Sequence, residues 1–364
     1  MKVGKGYAGF EPIFAVGVLA AALASLSISQ IYNAGAIVLG ITVGLIILLI
    51  RTQSRHLLNT PEILIAATAL AAGMFCGLNG RLVNYPTGSG RMHLMAFQYA
   101  GEAFQASIDA INFTDRDTNA LLKALLSGNR ADLPHRITEA FRISGASHIL
   151  ALSGLHLGII YAIADKATAI MGNSRKRRIT RSISNITICT FYTLATGASA
   201  SITRALLFII LREAGILSGR PVRLNVLLRK CLLIHLALDP CAILDIGFQL
   251  SYAAMAGITW IYPLMKNIWP AQDSGPMKKI WDSASLTICC QLTTSPLALY
   301  YFGTFPTHFL LTNLLALPLT GFLVPIAILT VTLSAADLCP AILTEVCEKA
   351  ASCLISVLET ISLM

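Results

Sequence analysis

Apolar residues run unbroken for the length of a membrane-crossing helix many times along this chain. Such runs, each able to cover a hydrocarbon core of about 30 Å, occupy residues 13–29, 34–50 and 63–80. A stretch of ordinary polarity follows at 81–147, and then runs at 148–171, 183–196, 202–217, 224–238, 242–262, 281–302 and 309–333. A last apolar segment, 341–363, contains Glu345, Glu348, Lys349 and Glu359, so it either spans or lies in the interface. Barrel strands alternate over about ten residues and do not produce such runs. Backbone groups in lipid must be satisfied within the segment, which leaves helices. The pattern predicts an all-α, polytopic transmembrane bundle of about ten or eleven spans.

The polar interlude predicts amphipathic helices lying on the membrane or against the bundle. Leu94, Phe97, Phe104, Ile108 and Ile111 share one helical face. A second helix begins near Asp115, a good cap, passes through Leu121, Leu122 and Leu125, and stops at Ser127-Gly128. A third starts at Pro134 and ends at Gly145, after which Ser147 is expected to cap the next run. The chain thus divides into N-terminal transmembrane helices (1–80), an outward-facing amphipathic segment (81–147), a transmembrane core (148–334) and a C-terminal apolar helix (335–364).

Composition agrees: 55% of residues are hydrophobic and only 12% charged, about half the charge of a soluble domain. The net charge of +9 is accounted for chiefly by basic residues gathered in cytoplasmic loops. Lys2 and Lys5, Arg51 and Arg55, the run Arg175-Lys176-Arg177-Arg178 with Arg181, the group Arg220, Arg223, Arg229 and Lys230, and Lys266, Lys278 and Lys279 all fall on one side when the spans alternate. That side is cytoplasmic, as is the amino terminus, and 81–147 faces outward. The nine cysteines, Cys289 and Cys290 adjacent, mostly sit in apolar runs and show no disulfide framework or metal spacing. Residues 1–9 are too short and too weakly basic for a cleaved signal.

The stretch 148–163 concentrates the chemistry: His148, Ser153, Gly154, His156 and Gly158 in an apolar helix-length segment. On a continuous helix Ser153 and His156 are neighbours. His148 then lies about 12 Å from His156, too far to share a metal. Gly154 and Gly158 form a small-residue notch that suits close helix approach. A second polar group is Asp245 with Gln249, one turn apart, beside the Asp239-Pro240 turn; the two either point together from one helical face or mark a helix start, where Asp favours the positive end of the dipole. Arg204 lies at the outer start of its span, placed to snorkel or to meet Asp245 or a phosphate. Gln291, Thr293, Thr294, Ser295 and Asn313, with kinks expected at Pro296 and Pro318, complete a polar interior.

These residues resemble the ComEC-type competence proteins, membrane components that carry incoming single-stranded DNA across the inner membrane in natural transformation. Glu139-Ala-Phe-Arg followed by Gly145-Ala-Ser-His-Ile-Leu-Ala-Leu-Ser-Gly-Leu-His-Leu-Gly is similar to the family's core signature. Upstream, 121–130 is similar to the segment before it, with Asn129 where an acidic residue is common. Downstream, Arg204-Ala-Leu, Asp239-Pro and Asp245-Ile-Gly-Phe-Gln-Leu-Ser-Tyr resemble a second signature region. Gln291-Leu through Pro296, Tyr301-Phe302-Gly303 and Asn313-Leu-Leu-Ala-Leu-Pro318 resemble a third. The OB-type and metallo-β-lactamase-like domains common in the family are not expected in this sequence, which resembles the channel module alone.

The resemblance implies a bacterial inner-membrane channel component translocating single-stranded DNA, lined by His148, Ser153, Gly154, His156, Arg204, Asp245, Gln249, Gln291 and Asn313. In the outward helices Arg116, Lys123, Arg130, Arg136 and Arg142 are placed to gather the strand by its phosphates. Asp245 is expected to pair with Arg204 or His156. No P-loop is present, and no cofactor or metal is expected. A DNA receptor, a nuclease and a cytoplasmic helicase are the implied protein partners, beside membrane lipid. Two other classes fit parts of the pattern: a small-solute transporter, and an intramembrane serine hydrolase using Ser153 with His156 or His235.

Overall fold

The computed structural model describes residues 13–18, 20, 67, 69–74 and 95–364, less 112, 171–173, 220–221, 269–274 and 304–306. Every regular element among the described residues is helical. The expected runs at 13–29, 34–50 and 63–80 fall mostly outside them. The chain forms two compact units, one of residues 1–90 with 222–252, the other of 91–221 with 253–364.

In the first unit α8, Leu224–Leu238, is followed by a short 3₁₀ turn, Pro240–Leu244, and by the larger part of α9, Ile246–Ala256. Phe14, Val18, Ala69, Leu236, Ala242 and Phe248 form its buried core. The His235 and Phe248 rings meet edge to face, 5.0 Å between centroids.

The second unit starts with three amphipathic helices: α1, Met95–Asp109, α2, Arg116–Ser127, and α3, His135–Ile143. Asp115 caps α2, its carboxylate accepting the Asp117 N–H at 3.0 Å. Gly128 ends it with φ +78°, a left-handed conformation that glycine adopts without a Cβ penalty. These helices meet α12, Phe309–Ser334, and α13, Ala341–Ser362, around a leucine-rich core that includes Leu121, Leu125, Phe141, Leu323 and Leu354. Backbone groups at the joints are satisfied across the packing. The Asp115 N–H donates to Glu348 Oε1 at 2.7 Å, and Thr312 Oγ1 donates to the Ser144 carbonyl at 2.8 Å.

Between these parts lie α4, Ser147–Leu150, α5, Gly154–Ala169, α6, Arg175–Ala195, and α7, Ala200–Leu217. The last three pack on one another, with Leu157, Tyr161, Cys189, Ile202 and Ile209 buried among them. The run expected as one helix from 148 is broken: Ala151 and Ser153 are extended, and a new helix begins at Gly154. Ser147 is the first residue of α4 rather than its cap, which is Ala146.

A second expected run, 242–262, is also interrupted. A π-helical turn, Gly257–Ile261, precedes α10, Tyr262–Lys266, and the Tyr262 N–H donates five residues back to the Gly257 carbonyl. Pro263 lacks an N–H and crowds the carbonyl four residues before it, which favours the wider turn. The wide turn packs against α11, Pro276–Phe302. Pro296 lies inside α11, and Pro318 and Pro325 inside α12.

By length and composition α12 is able to cross a membrane, with mean hydropathy 2.3 over its most apolar stretch, and among the described residues no other helix meets both conditions. The reasons are local. Arg204, Arg212 and Glu213 interrupt α7, Glu345, Glu348, Lys349 and Glu359 mark α13, and α8 has only 15 residues.

Candidate functional site

The break before α5 places Ser153 and His156 as a reciprocal cap. Ser153 Oγ accepts the Leu155 N–H at 3.3 Å, and His156 Nδ1 accepts the Ser153 N–H at 3.3 Å. This is the capping-box arrangement with histidine at the position usually held by Glu or Gln. Because Nδ1 accepts, the ring proton sits on Nε2. His156 is fully buried, and its Nε2 has no partner among the described residues.

Ser153 Oγ also lies 3.3 Å from His156 Nδ1, but both atoms are engaged with backbone amides at the helix start. The glycine notch is half realised. A Cβ on Gly154 would come within 3.3 Å of Ala205 Cβ on α7, whereas at Gly158 it would meet open space. His148 is exposed on α4, its Nδ1 3.2 Å from the Gly145 carbonyl. Arg204 is 5% exposed and therefore buried in the second unit rather than snorkelling to its edge.

A second polar centre, absent from the sequence reading, lies deeper among α5, α6 and α7. Glu213, 2% exposed, accepts from the Tyr161 hydroxyl on one carboxylate oxygen and from Ser182 Oγ, at 2.5 Å, on the other. Arg212 stacks over the Tyr161 ring, 5.1 Å from its centroid. Beside it, Arg181 binds Asp165 at 2.6 and 2.9 Å, and Asn185 Nδ2 reaches the same carboxylate at 3.1 Å. The available signal was the Arg212-Glu213 pair inside an apolar run, since ionisable residues there are costly and usually functional.

Asp245 and Gln249 belong to the first unit. Asp245 Oδ1 accepts the Phe248 N–H at 2.7 Å and caps α9, and Gln249 Nε2 donates back to the Ile243 carbonyl at 2.9 Å. Their side chains serve this turn rather than projecting together from one helical face. Gln291 is half-buried on α11. Asn313, on α12, keeps its buried Oδ1 without a partner among the described residues, as do Ser285 Oγ, Ser295 Oγ and Thr320 Oγ1.

Of the cations assigned to phosphates, three already have carboxylate partners. Lys123 bridges Asp109 at 2.5 Å and Asp132 at 2.9 Å, and its hydrogen bond to Asp109, then that to Asp132, raise its pKa above the ordinary lysine value. Arg136 joins Asp117 to Glu359. Arg142 pairs with Glu139 at 2.5 Å, a contact that holds the glutamate below the usual carboxylate range. Arg116 and Arg130 are exposed and have no ion pair with a described residue. Arg116 edges a cleft of about 320 Å³ together with Phe113, Asp115 and Asp132.

The described residues define a class: an all-helical architecture with one helix among them long and apolar enough to cross a membrane, a broken helix, and buried ionisable groups tied between helices. The comparisons then give the family. The profile of the Competence family, described as competence protein, matches residues 125–364, and the chain belongs to that family. ComE operon protein 3 of Bacillus subtilis is 26% identical over 216 residues, covering 58% of this chain and 26% of that protein. The uncharacterized protein YcaI of Escherichia coli is 27% identical over 216 residues, covering 56% of this chain and 28% of the relative. The matches thus take in about a quarter of the length of either relative. No solved structure matches the chain.

Proposed function

We propose that this chain is a multi-pass inner-membrane component that translocates single-stranded DNA into the cytoplasm during natural transformation, with its amino terminus cytoplasmic. The observation that carries the reading is membership in the competence-protein family over a region that contains the broken helix and the buried polar groups. Single-stranded DNA carries one charge per phosphate, and bare hydrocarbon excludes charge, so a conduit needs unspent polar groups inside its bundle. His156 Nε2, Asn313 Oδ1, Ser285 Oγ and Thr320 Oγ1, none of which has a hydrogen-bond partner among the described residues, are candidates for such groups. The apolar runs that lie outside the described residues supply further crossings in this reading, residues 81–147 face outward, and residues 148–334 form the conduit.

The chain acts as a passage rather than an enzyme. Strand capture, strand degradation and the driving force come from a receptor, a nuclease and a cytoplasmic helicase. The test is DNA internalisation. Cells lacking the chain should still bind labelled duplex DNA at the surface but lose the nuclease-protected, internalised fraction. Re-expression should restore it. Undiminished internalisation without the chain contradicts the proposal.

A further inference from the structure

The basic residues at one end of the α5–α6–α7 group divide into two sets, and the division points to a ligand. Arg178 and Arg181 turn inward. Arg178 Nη2 donates to the Ile216 carbonyl at the end of α7, at 2.8 Å, and Arg181 is held by Asp165. Lys176 and Arg177, in the first turn of α6, and Lys166, in the last turn of α5, are exposed and have no carboxylate partner among the described residues.

That first turn contains no acidic residue. Cations at the positive end of a helix repel its dipole, so Lys176 and Arg177 sit where the fold itself disfavours them unless an anion lies opposite. The same end exposes apolar side chains beside the cations. Ile170 is 90% exposed, Ile179 43%, Ile183 56% and Leu217 40%. Water favours neither an apolar rim nor unpaired cations at a helix start. A bilayer surface accommodates both, taking the aliphatic side chains among its acyl chains and the cations against its phosphates.

We propose that Lys166, Lys176 and Arg177 form a docking surface for anionic phospholipid headgroups at the cytoplasmic leaflet, with Ile170, Ile179 and Leu217 seated in the adjoining acyl region. The proposal rests on the membrane reading above and adds a lipid charge requirement to it. The aliphatic side chains exposed beside the basic groups select lipid over emerging DNA, because a nucleic acid offers no phase for them, and the described residues at this end include no aromatic ring on which a base could stack.

The experiment uses the full chain purified in neutral detergent, with phosphatidylglycerol, phosphatidylcholine or oligothymidylate added at equal concentration. Phosphatidylglycerol should raise the thermal midpoint by several degrees and phosphatidylcholine should not. Replacing Lys176→Gln and Arg177→Gln together should remove that rise. Lys176→Arg with Arg177→Lys should keep it, and Lys349→Gln, at an exposed cation on α13 paired with Glu345, should leave it unchanged. An equal rise with phosphatidylcholine, a rise with oligothymidylate alone, or a full rise in the double glutamine variant overturns the lipid site. A purified chain that fails to enter vesicles after detergent removal overturns the membrane reading itself, which a missing phosphatidylglycerol response in an inserted chain does not.

Discussion

Two parts of the second unit solve the problem of a helical core in opposite ways. Around α2, α3, α12 and α13 the interior is chiefly leucine, isoleucine, valine, phenylalanine and alanine, its buried polar side chains are neutral hydroxyls such as Thr118, Thr312 and Thr330, and the charges stay near the edge, Arg136 paired with Asp117 and Glu359. Among α5, α6 and α7 the interior contains His156, Ser182, Asn185, Thr193, Arg204 and Glu213, all at or below 5% exposure. The first core is a scaffold whose stability follows from apolar area. The second gives up apolar burial for polar groups that must each find a partner. The second kind of core is the one the proposed passage needs, and the contrast between them can be tested residue by residue.

The largest expected effect lies in the scaffold. Phe141→Ala empties a fully buried position and should cost about 3–5 kcal/mol, read as a lowered thermal midpoint in detergent with loss of accumulated protein. In the polar core, Glu213→Ala leaves the Tyr161 and Ser182 hydroxyls buried without their acceptor. Each should cost about 1–3 kcal/mol. Tyr161→Phe combined with Glu213→Ala should then cost less than the sum of the two, because they share one bond. Strict additivity would show that this network is not coupled.

Next comes the edge of the scaffold. The link of Lys123 to Asp109 and Asp132 raises its pKa, so its contribution to stability is complete below the ordinary lysine value of 10.5 and is lost as pH rises through the higher folded value. Denaturant titrations across the alkaline range should show this limb in the parent chain and lack it in Lys123→Gln. The smallest effect is expected at Arg142, whose partner Glu139 lies three residues away on an exposed face. Arg142→Gln should leave the thermal midpoint within error, in line with the low value of surface pairs.

The apolar pattern placed the helix cores well because burial and hydropathy coincide there. Leu224–Leu238 agrees with the expected bounds, and α2 starts and stops at the expected cap and glycine. Breaks were less legible. Nothing in the hydropathy of 148–171 distinguishes one helix from two, since the interruption is made by Ser153 and His156 exchanging hydrogen bonds with their own backbone. The serine and histidine are neighbours as their spacing predicts, but at a helix start rather than on the face of one continuous helix. Arg204 and Asp245 show the same limit in different form. Their residue types were informative, but a buried arginine and a helix cap look alike in sequence to a snorkelling side chain and a projecting carboxylate. Glu213 escaped notice because its partners, Tyr161 and Ser182, lie 52 and 31 residues away along the chain.

His156 separates structure from function most cleanly. Glutamine is a natural partner at the third position of a capping box, so His156→Gln should keep the cap on α5 through its Oε1 while exchanging the buried imidazole, with its single Nε2 donor, for an amide of different shape and two donors. The measurement is nuclease-protected DNA uptake in cells expressing this variant, alongside its thermal midpoint in detergent. The account predicts a midpoint close to that of the parent chain and loss of uptake. A stable, membrane-inserted His156→Gln protein that internalises DNA at the parental rate would contradict it.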